Sequence, residues 1–326
     1  MLYLNDSSIR QIGTNWPELI EVIENATHAF DQGEYSQPLK PYLRYEDNRN
    51  RIIAMPAYIG GTDSAVGIKW VASFPNNYMK DLPRAHSVLI LNEVDTGKPL
   101  AVFNSALLSA VRTVSVSATF LKHTISTIQS EKLNVMIFGL GPIGELHYNF
   151  LMDSLSDRIQ RLYIYDTNLQ KAQAFTEKYA DSKIVRVDSW EDAFQHSDII
   201  LTCTVVSEPY INIPAKVGAI ILNISLRDFG SLFYKYSNPY MVVDDWDEVC
   251  REGTTVERLY NQKMISPSDS IRLADIVVGN RNMMNDANIR TIFFNPMGMA
   301  VYDIAIAKYY LVSADQRGVG NILCDS

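Results

Sequence analysis

Six consecutive residues, Gly139-Leu140-Gly141-Pro142-Ile143-Gly144, carry the sharpest chemical signal in this chain. Their spacing is G-x-G-x-x-G. They follow the apolar run Val135-Met136-Ile137-Phe138 and open a helical pattern, the context in which such a loop binds a dinucleotide. Gly139 permits the tight turn, Gly141 lets a pyrophosphate approach the backbone, and Gly144 lets the helix lie close on its strand. Free N–H groups at the helix start then face the anion. Asp166 ends the strand Leu162-Tyr163-Ile164-Tyr165, about 20 residues beyond the loop. A carboxylate there accepts the adenosine ribose hydroxyls and repels a 2′-phosphate, so the expected cofactor is NAD rather than NADP. The plainer alternative is an ordinary tight turn with Asp166 capping the next helix.

A second set of residues is basic. Lys69 sits within Gly67-Ile68-Lys69-Trp70-Val71, Arg112 inside the apolar stretch LLSAVRTVSV, and Arg44 after the proline-rich QPLKPYLR. Charges in such surroundings are seldom fully buried unless paired. Each could snorkel to the surface or pair with a structural carboxylate. Together they suggest an anion pocket, in which a guanidinium takes a carboxylate bidentately and an ammonium adds a point charge. Arg84, close to His86, is a further candidate for a second substrate carboxylate or a cofactor phosphate, with solvent exposure as the alternative. Asp228 lies just past the carboxyl end of the strand AIILN, where a doubly wound sheet places its active site. It could otherwise cap a helix. The five histidines form no metal-binding pair, and Asp244-Asp245 closes the strand MVVDD and reads as structural. Cys203 has no base near it in sequence, so neither a metal site nor a thiol nucleophile is expected.

The elements that must position these groups fall into two patterns. In the first part, Asn15-Trp16-Pro17-Glu18 reads as a helix entry, with Asn15 as cap and Glu18 reaching back to it. Short β-rich runs follow: RIIAMPAYI, AVGIKWVAS, SVLILNEV and PLAVF, the last two joined by a turn at Asp95-Thr96-Gly97-Lys98. Strands in succession without intervening helices predict an antiparallel or mixed sheet in an α+β module. From Ser105, which caps a long helix rich in small residues, strand and helix alternate. That alternation predicts a Rossmann-type, doubly wound parallel sheet. The last helix, from Met299, has no strand left to cross to and is expected to fold back onto the first module. The predicted division is α/β: residues 1–112, completed by 299–326, form the substrate-binding module, and residues 113–298 bind NAD.

The segments AVGIKW, VDTGKP, SALLSAVRTVSVSA, IFGLGPIGE and NPMGMAVYDIA resemble the ornithine cyclodeaminase/μ-crystallin family over nearly the whole chain. The resemblance implies a homodimer built through the first module, with nicotinamide facing substrate across an interdomain cleft. Arg44, Lys69 and Arg112 then fall where the family holds the substrate's α-carboxylate, with Met55 and Arg84 as further substrate contacts. Asp228 falls on the catalytic aspartate, and Lys69 could also move a proton. Cofactor contacts are implied at Arg112, Thr113, Pro142, Ile143, Thr204, Val205, Ser225 and Met297, besides the loop glycines and Asp166. Cyclodeaminases of the family carry an acid in the strand preceding Met-Pro, where it meets ornithine's distal ammonium. Here that stretch is Arg51-Ile52-Ile53-Ala54-Met55-Pro56, without an acid, which argues against ornithine. The segments QPLKPYLR, RIIAMP, IGG, TCTV, NIS and VVDDW carry a closer resemblance within the family. It implies a multi-carboxylate secondary amine as substrate, cleaved oxidatively to 2-oxoglutarate and L-2,3-diaminopropionate, a precursor for siderophores and peptide antibiotics.

Composition narrows the remaining classes. The chain has 326 residues, 47% of them hydrophobic, enough for two domains with sizeable cores. Lys and Arg number 29 against 37 Asp and Glu, giving a net charge of −8, so nucleic acid is not an expected partner. No apolar run is long enough to span a membrane, and the start MLYLNDSSIR lacks the features of a signal peptide. Cys203, Cys250 and Cys324 have neither disulfide nor zinc spacing, which fits a cytoplasmic protein.

Overall fold

The computed structural model describes residues 1–47, 49–283 and 290–323, so Cys324 lies outside the described residues. The chain divides into two compact units, Met1–Thr119 with Gly298–Ser326, and Phe120–Met297. The boundary read from sequence, after Arg112, and the division at Thr119–Phe120 both fall within the helix Ala106–Thr124.

The first unit begins with β1 (Leu2–Asn5), α1 (Asp6–Ile12) and α2 (Trp16–Asp31). Strands β2 (Tyr35–Ser36), β3 (Tyr42–Leu43), β4 (Arg51–Ile59), β5 (Ala65–Ser73), β6 (Ala85–Asn92) and β7 (Pro99–Asn104) follow, then the long helix α3 (Ala106–Thr124). Asn15 does not cap α2 through its side chain. Pro17 offers no N–H at the second helical position, and the Glu18 N–H at the third is not bound by the Asn15 side chain either. Ser105 does cap α3, its Oγ accepting from the Leu108 N–H at 3.0 Å.

The second unit alternates as expected. Its strands are β8 (Leu133–Phe138), β9 (Ile159–Tyr165), β10 (Ile184–Arg186), β11 (Ile199–Thr202), β12 (Ile220–Asn223), β13 (Tyr240–Val243), β14 (Ser270–Arg272) and β15 (Ile292–Asn295). Helices α4 (Pro142–Leu155), α5 (Leu169–Tyr179), α6 (Glu191–His196), α7 (Ser231–Ser237), α8 (Trp246–Val249), α9 (Thr255–Asn261) and α10 (Leu273–Val277) connect them. The chain then returns to the first unit as α11 (Ala300–Arg317) and β16 (Asn321–Ile322).

The sheet of the first unit runs β16-β1-β7-β6-β5-β4-β2, with β3 also on β4. It is mixed: β1 and β7 are parallel, and the rest pair antiparallel. Alternation along each strand sorts its side chains into two faces. On the inner face, Met55, Lys69, Leu89, Phe103 and Leu4 lie in cross-strand register, all buried. Helix α11 packs on β4, β5 and β6. Lys69 is thus the one charge in an otherwise apolar row. The outer face carries rows such as Pro56, Ile68, Ile90 and Val102, half-buried, with Trp70 46% exposed.

The sheet of the second unit runs β10-β9-β8-β11-β12-β15-β13-β14, and every pair is parallel. This is a Rossmann doubly wound sheet. Strands β11, β12 and β15 are buried at every residue, as a sheet covered on both faces requires. Each fully buried Leu, Ile or Phe there contributes roughly 1.5–3 kcal/mol. From β8 the chain winds outward through β9 and β10, then restarts on the other side at β11. The carboxyl ends of β8 and β11, paired at Phe138 and Thr202, therefore mark the crevice where such sheets bind ligands.

Candidate active site

The glycine loop sits at that crevice. Gly139, at φ +85°, turns the chain in the left-handed region, and its N–H donates to the Tyr165 carbonyl at 2.9 Å. A Cβ on Gly144 would lie 2.0 Å from the Gly139 carbonyl oxygen, so α4 approaches the loop more closely than any side chain allows. A Cβ on Gly141 would meet nothing within 4 Å, so the side facing a ligand is open. Pro142 and Ile143 start α4 with Gly141 as its cap residue, and Gly141 has no side chain to take the first helical N–H groups. These residues fit a dinucleotide pyrophosphate.

Asp166 is tied into the same loop. Its Oδ2 accepts from Leu140 N–H and its Oδ1 from Asn168 N–H, both at 2.9 Å. The cap of α5 is Asn168, whose side chain accepts from Lys171 N–H, so Asp166 is not the helix cap. Each Asp166 oxygen retains a lone pair, which leaves it able to accept a ribose hydroxyl.

At the end of β12, Asp228 is buried and surrounded by hydroxyl groups. Thr204 Oγ1 donates to Oδ1 at 2.6 Å, Ser225 Oγ donates to Oδ2, and Tyr210 adds a third side-chain hydrogen bond. Burial raises the Asp228 carboxyl above the ordinary carboxylate range, against the lowering effect of these three donors. Burial beside this acid also pushes the Tyr210 hydroxyl upward. The loop bearing Asp228 is anchored from beneath. Asn223 Oδ1 accepts from Thr202 Oγ1 and from Leu226 N–H, and Asn223 Nδ2 donates to Asn295 Oδ1 at 2.7 Å. Leu226 is held at φ +68°, a conformation seldom adopted by a residue with a side chain. Sequence reasoning assigned Thr204 and Ser225 to the cofactor, whereas the structure places both hydroxyls on Asp228. It missed Tyr210 altogether.

The first unit brings Lys69 and Arg112 together, through a residue that was not anticipated. Asp303, on α11, accepts from Lys69 Nζ at 2.8 Å and from Arg112 Nε at 2.9 Å, both on Oδ1. All three are buried. Lys69 also donates to Ser109 Oγ at 2.7 Å. Burial lowers Lys69 to about 8, with Asp303 opposing the shift and Arg112 and Lys40 reinforcing it. Burial would raise Asp303, but Arg112 and Lys69 outweigh it and hold the carboxyl below its ordinary value. The signal was an acid in the apolar run MAVYDIAIA, in the helix expected to fold back onto the first module. Lys40, also missed, is buried and donates to the Gly298 carbonyl.

The other predicted residues stand as follows. Met55 is the cross-strand partner of Lys69. Arg44 is exposed just after β3, its guanidinium 5.2 Å from the centre of the Tyr42 ring, and Arg84 is exposed before β6. Thr113 donates to the Ser109 carbonyl within α3. Val205 is exposed, and the Met297 N–H donates to Asp244. Asp244 also accepts from Asp245 N–H, and Asp245 caps α8, so both carboxylates serve backbone. Cys203 does have an imidazole near it, His147 Nδ1 at 3.9 Å. Burial raises the thiol and lowers His147 to about 4, so the pair is neutral and unsuited to nucleophilic attack.

The chain matches the ornithine cyclodeaminase/mu-crystallin family over residues 7–316. It belongs to that family. Among the relatives of this family member, N-((2S)-2-amino-2-carboxyethyl)-L-glutamate dehydrogenase of Staphylococcus aureus is 33% identical, covering 99% of this chain and 98% of its own. Alanine dehydrogenase of Archaeoglobus fulgidus is 26% identical over 93% of this chain and 92% of its own. Thermococcus litoralis Δ(1)-pyrroline-2-carboxylate reductase, solved with NADH and L-proline, superimposes with a TM-score of 0.87 at 25% identity. That match covers 99% of this chain and 100% of the reductase. Among the described residues, no helix is long and apolar enough to cross a membrane.

Proposed function

We propose that this family member is an NAD-dependent oxidoreductase that cleaves N-(2-amino-2-carboxyethyl)-L-glutamate to 2-oxoglutarate and L-2,3-diaminopropionate, a precursor of the siderophore or antibiotic kind. The likeness to the staphylococcal dehydrogenase along almost the whole chain carries this reading. Substrate, NAD⁺ and water give the two products, NADH and a proton.

NAD, when bound, accepts the hydride that leaves the glutamate Cα. The loop from Gly139 to Gly144 holds the pyrophosphate and Asp166 the ribose. Arg112, Thr113, Val205 and Met297 complete the cofactor contacts, Thr204 and Ser225 acting there besides holding Asp228. Lys69 and Arg112 hold the substrate carboxylate, with Met55 packed beside them and Arg44 and Arg84 for the further carboxylates. This orientation is the chain's main contribution to hydride transfer. Asp228 takes a proton from the water that adds to the imine carbon, and returns it to the nitrogen that departs. Its raised affinity for a proton suits that exchange.

The deciding experiment incubates the protein with NAD⁺ and either the glutamate adduct or ornithine. NADH and 2-oxoglutarate should appear in equal amounts from the adduct. Ammonia from ornithine without net NADH would make the protein a cyclodeaminase. The half-buried apolar outer face of the first sheet, centred on Trp70, suits a second copy of the chain. A homodimer is expected by light scattering, and Trp70→Glu should shift it towards single copies.

A further inference from the structure

The mechanism above assigns no role to Asp303. We propose that Asp303 is a positioning residue that holds Lys69 and Arg112 as one site for a single substrate carboxylate. This rests on the reading of Lys69 and Arg112 as carboxylate ligands. Both cations converge on one oxygen, Oδ1, while Oδ2 is buried without a hydrogen-bond partner among the described residues. A carboxylate serving only to neutralise Arg112 would meet the guanidinium fork with both oxygens. Here Asp303 takes only Nε, so the two terminal nitrogens are not spent on it.

Gly298, at φ +84°, packs directly against the edge between those nitrogens: a Cβ there would come within 2.3 Å of Arg112 Nη1, so glycine lets the backbone lie beside the guanidinium and leaves its outward N–H groups uncovered. The ammonium of Lys69 has three donor hydrogens, of which Asp303 and Ser109 take two. One donor of Lys69 and the outward N–H groups of the Arg112 terminal nitrogens therefore remain for the ligand.

Charge points the same way. Lys69, Arg112 and the buried Lys40 outnumber the one carboxylate, so the place carries net positive charge and favours an anion. Without Asp303, these like charges would share that place unopposed, and Lys69 would lose its proton more readily, whereas a guanidinium keeps its own. The groups facing Lys69 are Asp303 from α11, Arg112 and Ser109 from α3, and Lys40 from the segment before β3. Of these, only Asp303 supports the ammonium by charge.

The test is the pH dependence of KM for the glutamate adduct at saturating NAD⁺, in the unmodified enzyme, D303N and D303E. KM in the unmodified enzyme should rise above about pH 8, as Lys69 loses its proton. D303N should raise KM at pH 7 about tenfold and move the onset of the rise down by about one pH unit or more. D303E, which keeps the charge, should keep the onset. A purely structural role would lower the melting temperature and leave the onset in place, and that result overturns the proposal. If D303N does not fold, the unmodified enzyme is titrated with L-glutamate in buffers of different ionisation enthalpy. Proton uptake near pH 8 that vanishes near pH 6 supports the single-carboxylate site, and no uptake at either pH refutes it. An enzyme inactive on the adduct refutes the proposed function instead. An active one whose D303N profile superimposes on the unmodified profile refutes only the role of Asp303.

Discussion

Asp303 in the first unit and Asp228 in the second are both buried carboxylates. Asp303 is met by an ammonium and a guanidinium, Asp228 by three neutral hydroxyls. Taking a carboxylate out of water costs several kcal/mol, and a hydrogen bond to a charged group repays about 1.5–3 kcal/mol. Full charges repay more, so Asp303 is held ionised below the ordinary range. Hydroxyl donors do not cancel burial at Asp228, whose carboxyl is raised. The same side chain thus becomes a fixed anchor in one environment and a group able to exchange a proton in the other. Converting either environment towards the other is the way to test this contrast.

The largest effect is expected from Asp228→Asn. Asparagine keeps the shape but cannot take a proton, so kcat should fall roughly 10²–10⁴-fold while KM and NAD affinity stay close to the original. Steady-state release of 2-oxoglutarate at saturating substrate and NAD⁺ measures this, and a near-normal kcat would remove Asp228 from the chemistry. Stability should change as well. Because the folded state favours protonated Asp228, the stabilisation present below the ordinary carboxylate pKa is lost as pH rises towards the raised value. The variant should lack that dependence in denaturant titrations.

Arg112→Lys should come next. A lysine ammonium keeps the charge but cannot contact Asp303 side-on and present a fork at the same time. We expect kcat/KM to fall about 10–100-fold, the equivalent of one charge-assisted hydrogen bond. An unaltered kcat/KM would show that the guanidinium edge does not meet substrate.

The two clusters were unequally legible in the sequence. Glycine spacing, strand context and Asp166 are local signals, and they place the dinucleotide loop within the observed alternation of strand and helix. Lys69 and Arg112 stand out as charges among apolar neighbours, and pairing with a structural carboxylate is one of three readings open to them, beside snorkelling and an anion pocket. The partner, Asp303, lies far along the chain on α11, and no local pattern joins it to β5. Tyr210 was hidden for the same reason, since the parallel pairing of β11 with β12 sets how the loops beyond them converge. Asn15 does not cap α2 although its residue type suits the position, and Pro17 removes only one of the two N–H groups it could have served.

Tyr210→Phe sharpens the contrast from the side of Asp228. It removes one donor to the carboxylate and leaves Thr204 and Ser225. Losing that donor should raise Asp228 further, so the acid limb of kcat/KM, where the carboxylate form is needed, moves up by about one pH unit. Below that limb the rate should fall about tenfold. A limb that stays in place would mean that the Tyr210 hydroxyl does not tune this acid.

The smallest expected effect concerns Asp166, which resembles neither buried acid. It is half-exposed and bonded to two backbone N–H groups, so it can act on the cofactor only through its remaining lone pairs and its charge. Asp166→Ser removes the charge that repels a 2′-phosphate and keeps one short acceptor for the loop. The NAD⁺ over NADP⁺ ratio of kcat/KM should therefore drop roughly tenfold, mostly through better use of NADP⁺. Asp166→Asn separates the two contributions, because it is also neutral but nearly isosteric with the original. If both variants gain NADP⁺ activity, charge sets the preference. If only NAD⁺ activity falls, and equally in both, Asp166 acts by shaping the loop through Leu140, and the preference for NAD must come from elsewhere in the chain.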